Sequence, residues 1–114
     1  MSLVYAYRGK GISHDIVIVD RNGNTITPGG SDLVRATIGH QGQTAKLTVT
    51  SGSPTANGSS FTKGSTNRLR LDASDLSFPA GTYNLDVELF DHSDAAEWKL
   101  VSRQVFCLEE DIGS

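Results

Sequence analysis

Turn-forming residues punctuate this chain at short, even intervals, and no stretch between them is long and one-sided enough to make a useful helix. The punctuation runs RGKG (8–11), DRNGN (20–24), PGGSD (28–32), GHQGQ (39–43), SGSPTANGSS (51–60), FPAG (78–81) and HSDAAE (92–97). Short segments between such turns predict a sandwich or barrel of strands. The segments read as strands at 3–7, 14–20, 33–39, 44–50, 66–72, 82–91 and 97–108, about seven in all.

Alternation supports this reading. After the turn FPAG, Tyr83, Leu85, Val87 and Leu89 share one parity, and Thr82, Asn84, Asp86 and Glu88 share the other. Such a strand turns one face to a core and the other to water or a partner. Val34, Ala36 and Ile38 repeat the pattern, as do Ala45, Leu47 and Val49, and then Leu69 and Leu71. All should meet in a core shared by two sheets. IVIV at 16–19 is apolar on both parities, so that strand is either central and covered twice or has one face at an interface. In EWKLVSRQVFCLEE the apolar phase changes: Trp98 and Leu100 share one parity, Val101, Val105 and Cys107 the other. A bulge near Ser102 would reconcile them. LDASDLSF is long enough for one helical turn, with Asp72 or Ser74 as its cap.

At 114 residues the chain suits one domain, 1–114, able to bury roughly two thirds of its unfolded surface. An N-terminal arm at 1–9 and an acidic tail at 109–114 would flank it. With 37% hydrophobic and 20% charged residues it is too apolar for disorder. The net charge of −3 and scattered basic residues give no electrostatic reason to expect nucleic acid. Arg68 and Arg70 in RLR read as the outer face of an alternating strand. A single cysteine, Cys107, makes no internal disulfide and suits a reducing cytoplasm, where it packs as a small apolar residue. No apolar run approaches the ~20 residues of a membrane span, and MSLVYAYRGKG lacks a basic leader, so neither a membrane nor the usual secretory route is expected.

No motif carries chemistry. In DHSD (91–94), neighbouring side chains on an extended chain point to opposite sides, and a polar hairpin turn explains the composition. DRNGN lacks the spacing of a calcium loop, and Asn22-Gly23 fits a tight turn that needs positive φ. His14, His40 and His92 are not paired at ligand spacing and read as exposed turn residues. Nucleophile-elbow and phosphate-loop patterns are absent. We therefore expect no enzyme, no cofactor and no bound metal.

Binding is better represented. Tyr5 and Tyr7 share a parity of the first strand or arm, where they form either an interface or the closing edge of the sandwich. Val17 and Val19 share one parity of the apolar run IVIV, the face that would meet a partner if that strand is not covered twice. Phe61 lies in the long polar segment SGSPTANGSSFTKGSTN, which is either a contact tip for a sugar or neighbouring subunit, or a plain loop. These five are the candidate interface residues. NGS at 57–59 matches a glycosylation sequon, which carries no weight without secretion.

In this order the motifs resemble the small immunoglobulin-like β-sandwich modules of tailed-phage virion proteins, such as the N-terminal domain of baseplate upper proteins and tail-fibre domains. The matching segments are DRNGNTIT (20–27), VRATI (34–38), LSFPAGTYNLDVELFD (76–91) and VSRQVFCLEED (101–111), spanning nearly the whole chain. The resemblance implies an immunoglobulin-like antiparallel sandwich. It also implies a non-enzymatic virion protein assembled in the host cytoplasm, either a capsid decoration or cement protein or a small tail or baseplate subunit. Its partners would be major capsid, tail or baseplate proteins and further copies of itself. The alternative from another class is a free-standing carbohydrate-binding or adhesin-like module, which would need exposed aromatics as a sugar platform.

Overall fold

A computed structural model describes residues 3–20, 22–91 and 97–110. Eight strands form in chain order: β1 (Leu3–Tyr7), β2 (Ile12–Ile16), β3 (Leu33–Gly39), β4 (Leu47–Thr50), β5 (Ser60–Thr62), β6 (Asn67–Leu71), β7 (Gly81–Phe90) and β8 (Trp98–Glu109). They make a five-stranded sheet in the order β1-β8-β7-β3-β4 and a three-stranded sheet in the order β2-β6-β5. Lettering β2 to β8 as B, C, C′, D, E, F and G gives the sheets BED and GFCC′ of the immunoglobulin sandwich. All pairs are antiparallel except one: β1 runs parallel to β8, where the sequence predicts antiparallel pairing throughout.

The core fills from the predicted parities. Val34, Ala36 and Ile38 of β3 and Tyr83, Leu85, Val87 and Leu89 of β7 are buried against Ile16, Ile18, Phe61, Leu69 and Leu71 from the opposite side. The hydroxyl of Tyr83 donates to the Pro79 carbonyl, which is the tyrosine corner found at the start of strand F in this fold. Two residues on, where antibody domains carry a cysteine, Leu85 is fully buried. Packing alone joins the sheets there.

Several boundaries depart from expectation for identifiable reasons. Pairing of β2 with β6 ends at Ile16↔Asn67, so IVIV is neither a central strand nor covered twice. Ile16 and Ile18 point into the core, while Val17 is 66% exposed. Val19 bridges Thr25, and the Ile26 N–H donates to the Ile18 carbonyl, closing a small hairpin of its own. Its turn uses Gly23 at φ 84°, with the Asp20 carboxylate accepting from the Asn22 and Asn24 amides. β5 is a strand the turn-rich composition of 51–66 conceals. The expected N-terminal arm is β1, a paired strand. Of the expected acidic tail, Glu109 ends β8 and Glu110 pairs with Arg8 at 2.9 Å, while 111–114 lie outside the described residues.

The long 51–60 segment is anchored. Asp72 caps a single 3-10 turn, Ala73–Asp75, its carboxylate accepting from the Ser74 N–H at 3.0 Å. At the end of that turn the Asp75 carboxylate accepts from the hydroxyls of Thr55 and Ser59 and from the Asn57 amide. Burial of Asp75 acts to raise its pKa, but the donors Ser59, Thr55 and Asn57 outweigh it and hold the group below its ordinary value of 3.8. Lys63 ties the 28–32 turn down in the same way, donating to the carbonyls of Gly29, Gly30 and Asp32.

Two outcomes follow from these anchors. Because the folded pKa of Asp75 is depressed, its contribution is present above the unfolded value and is lost as pH falls through the folded one. Asp75→Asn should lower the urea midpoint at neutral pH by about 2 kcal/mol of stability, the scale of hydrogen bonds to a charged group. It should also flatten the acid limb of the stability profile; an unchanged acid limb would contradict the assignment. Tyr83→Phe keeps the ring in the core but orphans the Pro79 carbonyl, and should cost about 1 kcal/mol in the same assay.

Candidate functional site

The two sheets present very different outer faces. On the small sheet the outward residues are Ser13 and Asp15 of β2, Ser60 and Thr62 of β5, and Arg68 and Arg70 of β6. As RLR predicts, both arginines are exposed around a buried Leu69. Arg68 pairs with Asp15 at 2.7 Å. Their hydrogen bond, reinforced by their opposite charges, lowers the Asp15 pKa and raises that of Arg68. This is a solvated face.

The outer face of the large sheet is apolar at both ends, because of β8. The expected bulge is present: Val87 pairs with Ser102 and Glu88 with Leu100, which makes Val101 the extra residue. It brings Trp98, Leu100, Val105 and Cys107 onto the outer face, while Val101 itself packs against the core. Trp98 and Leu100 pair with the outward Phe90 and Glu88. Past the bulge, Val105 and Cys107 pair with the outward Asn84 and Thr82. The inward positions are Ser102, Gln104, Phe106 and Leu108. The first half of β8 thus turns Trp98 and Leu100 outward and Ser102 inward, with Val101 packed on the core. Gln104 resolves its burial by bonding the Nε2 of His14 across the two sheets at 3.0 Å, so His14 is a half-buried bridge and not an exposed turn residue.

Three rows organise this face. At one end Leu3, Tyr5 and Tyr7 of β1 stand beside Val105, Cys107 and Glu109 of β8. In the middle Arg103 clasps Asp86 with bonds of 2.8 and 3.0 Å. That hydrogen bonding raises the guanidinium pKa further above its ordinary value. At the other end lie Leu33, Phe90, Trp98 and Leu100. The Phe90 and Trp98 rings are 5.4 Å apart, and the Arg35 guanidinium, held by Glu88 at 2.9 Å, sits 4.0 Å over the Trp98 ring.

The five predicted interface residues do not form one surface. Tyr5 and Tyr7 are 58% and 48% exposed on the same face of β1. Val17 projects from the opposite side of the sandwich. Val19 is half-buried and lines an open cleft of about 600 Å³ with Ile26, Leu89 and Leu100. Phe61 is 4% exposed: on β5 it alternates inward opposite Leu69, and a core side chain has no area to offer a partner. Reading by residue type misses Leu3, Val105 and Cys107 beside the tyrosines. It also misses Phe90 and Trp98, which face outward. Only the β7–β8 register decides their side, although the parity shift in EWKLVSRQVFCLEE signals that a register change is present.

Among the described residues no group of three His, Cys, Asp or Glu side chains gathers as metal ligands would. His40 stacks on Tyr83 with ring centres 4.6 Å apart, remote from His14 in the other sheet. His92, Ser93 and Asp94 of the DHSD segment lie outside the described residues. The outer face of the large sheet is thus apolar at its two ends, and Arg35–Glu88 and Arg103–Asp86 pair between them. A scan against protein-family models and a search of curated proteins each return no match to this chain.

Proposed function

We propose that this chain is a non-enzymatic structural protein of a tailed-bacteriophage particle, a capsid decoration or cement protein or a small tail or baseplate subunit. It works through protein–protein contacts made by the outer face of its large sheet. The observation that carries the reading is the outer side of β8, where Trp98 and Leu100 of the first half and Val105 and Cys107 of the second face outward, the latter beside Leu3, Tyr5 and Tyr7 of β1. Exposed apolar side chains gathered at the two ends of one outer face, opposite the Ser, Thr, Asp and Arg positions of the small sheet, mark an interaction surface. Half-exposed tyrosines are well suited to it, since they bury much area at little entropic cost.

The virion setting rests on the motif resemblance. In that setting the partners are major capsid, tail or baseplate proteins and further copies of the chain, and many small contacts sum across a symmetric lattice. Internal pairing of Arg8, Arg35, Arg68 and Arg103 with carboxylates leaves these guanidiniums committed, which argues against a phosphate-binding role. One observation favours the carbohydrate-binding alternative: Phe90 and Trp98 face outward. The Arg35 guanidinium already covers one face of the Trp98 ring, so the contact reading is preferred.

Immunogold labelling of source particles tests this. Gold over heads, or at one end of the tail, is the expected result. Bare particles with soluble protein left in the lysate, together with glycan-array binding by the isolated domain, would replace the reading with the carbohydrate module. Tyr5→Ala combined with Tyr7→Ala should lower incorporation into particles severalfold with unchanged circular dichroism; equal incorporation would remove this face from the assembly.

A further inference from the structure

We infer that the edge of β1, unpaired among the described residues, is a self-pairing edge, at which two copies of this chain join antiparallel about a two-fold axis through Tyr5. This rests on the contact role proposed above and names the partner and register for one end of that face.

The edges of the two sheets are not equally protected. β2 carries His14 and Asp15, β4 follows directly on Lys46, and β5 is three residues long. Charge and shortness are the devices that stop sheets from joining edge to edge. β1, LVYAY, has neither a charge nor a proline, and it is regularly paired along its whole length on its β8 side.

Backbone direction then selects the register. The Arg8 N–H donates to the Glu109 carbonyl at 2.8 Å, so in this parallel ladder the even residues Val4 and Ala6 aim their N–H and C=O groups at β8. By alternation Leu3, Tyr5 and Tyr7 aim theirs at the open edge. The Tyr7 carbonyl also accepts from the Lys10 N–H at 3.1 Å, which leaves it a second lone pair. An antiparallel copy centred on Tyr5 sets Tyr5 opposite Tyr5 and Leu3 opposite Tyr7, each a hydrogen-bonded pair. Shifting the centre by one residue to Val4 or Ala6 keeps the bonding parity but leaves an end of the five-residue strand unpaired. Only the Tyr5 centre uses the whole strand.

The side chains agree with self-pairing. The outward row becomes Cys107, Tyr5, Tyr5, Cys107 across four strands, flanked by Leu3–Tyr7 pairs, and no like charges meet in it. Leu3, Tyr5 and Tyr7 are 53%, 58% and 48% exposed, roughly 300 Å² per copy given the ~150–250 Å² an aromatic side chain can bury. The two copies together fall below the ~1,200 Å² of a stable interface. The pair is therefore transient in dilute solution and populated where copies are concentrated, as in a lattice.

The test uses purified protein in a Cys107→Ser background, at high concentration, with a short bifunctional thiol reagent. Tyr5→Cys should cross-link to a dimer with a yield that rises with protein concentration, because opposed hydrogen-bonded residues stand about 5.5 Å apart at Cα. Leu3→Cys mixed with Tyr7→Cys should cross-link as well. Leu3→Cys alone should stay monomeric, since its two thiols would lie roughly 13 Å apart along the strand. No dimer from Tyr5→Cys, or equal dimer from Leu3→Cys alone, overturns the register. If that happens while the double alanine variant still drops out of particles, the edge meets a different protein, and the virion reading survives without this inference.

Discussion

β7 is the strand on which the others depend. It pairs with β3 on one side and β8 on the other, and its inward row Tyr83, Leu85, Val87 and Leu89 is buried along its length. Each such side chain is worth about 1.5–3 kcal/mol on burial, so a slip of one residue would lose the whole row and expose it. The tyrosine corner fixes where β7 starts, through the Tyr83 hydroxyl and the Pro79 carbonyl. With its start and parity determined, the register of β8 follows, and so does the side on which every residue of β8 falls.

That dependence explains what can be read directly from the amino-acid order and what cannot. β3 appears at its expected bounds and β7 within one residue of them, because alternation is strict where one face is core and the other wet. The Asp72 cap and the bulge beside Ser102 are legible too, since each is a local signal. The face occupied by Trp98, Leu100, Val105 and Cys107 is not local. A period-two pattern states which residues lie together but leaves the side to the partner strand, and here the apolar set lies outside. Phe61 fails for the opposite reason: a three-residue strand inside a Ser- and Gly-rich segment is too short to show a period, so its burial comes from pairing with β6. Of the five expected contact residues, Tyr5 and Tyr7 lie together on the outer face of the large sheet.

Much of the polar chemistry in this domain holds connections in place. Asp75 gathers Thr55, Asn57 and Ser59; Lys63 gathers three carbonyls of the 28–32 turn; His14 reaches Gln104 between the sheets. Every such side chain is oriented toward its own chain. The 28–32 and 51–60 segments are thereby tied to the sandwich.

The parallel pairing of β1 with β8 has a mechanical consequence. The chain enters this pair at Leu3, beside Val105, and leaves it at Glu109, beside Tyr7, so its two ends depart from opposite ends of one ladder. A pull applied between them runs along the strands and loads the β1–β8 hydrogen bonds in shear. Bonds loaded this way must fail together, whereas a hairpin pulled from its open end unzips one bond at a time. The Arg8–Glu110 pair sits at the exit end of the ladder and stiffens it further. A sandwich wired in this manner resists tension along its β1–β8 ladder, a property that nothing in its turn-rich composition would suggest.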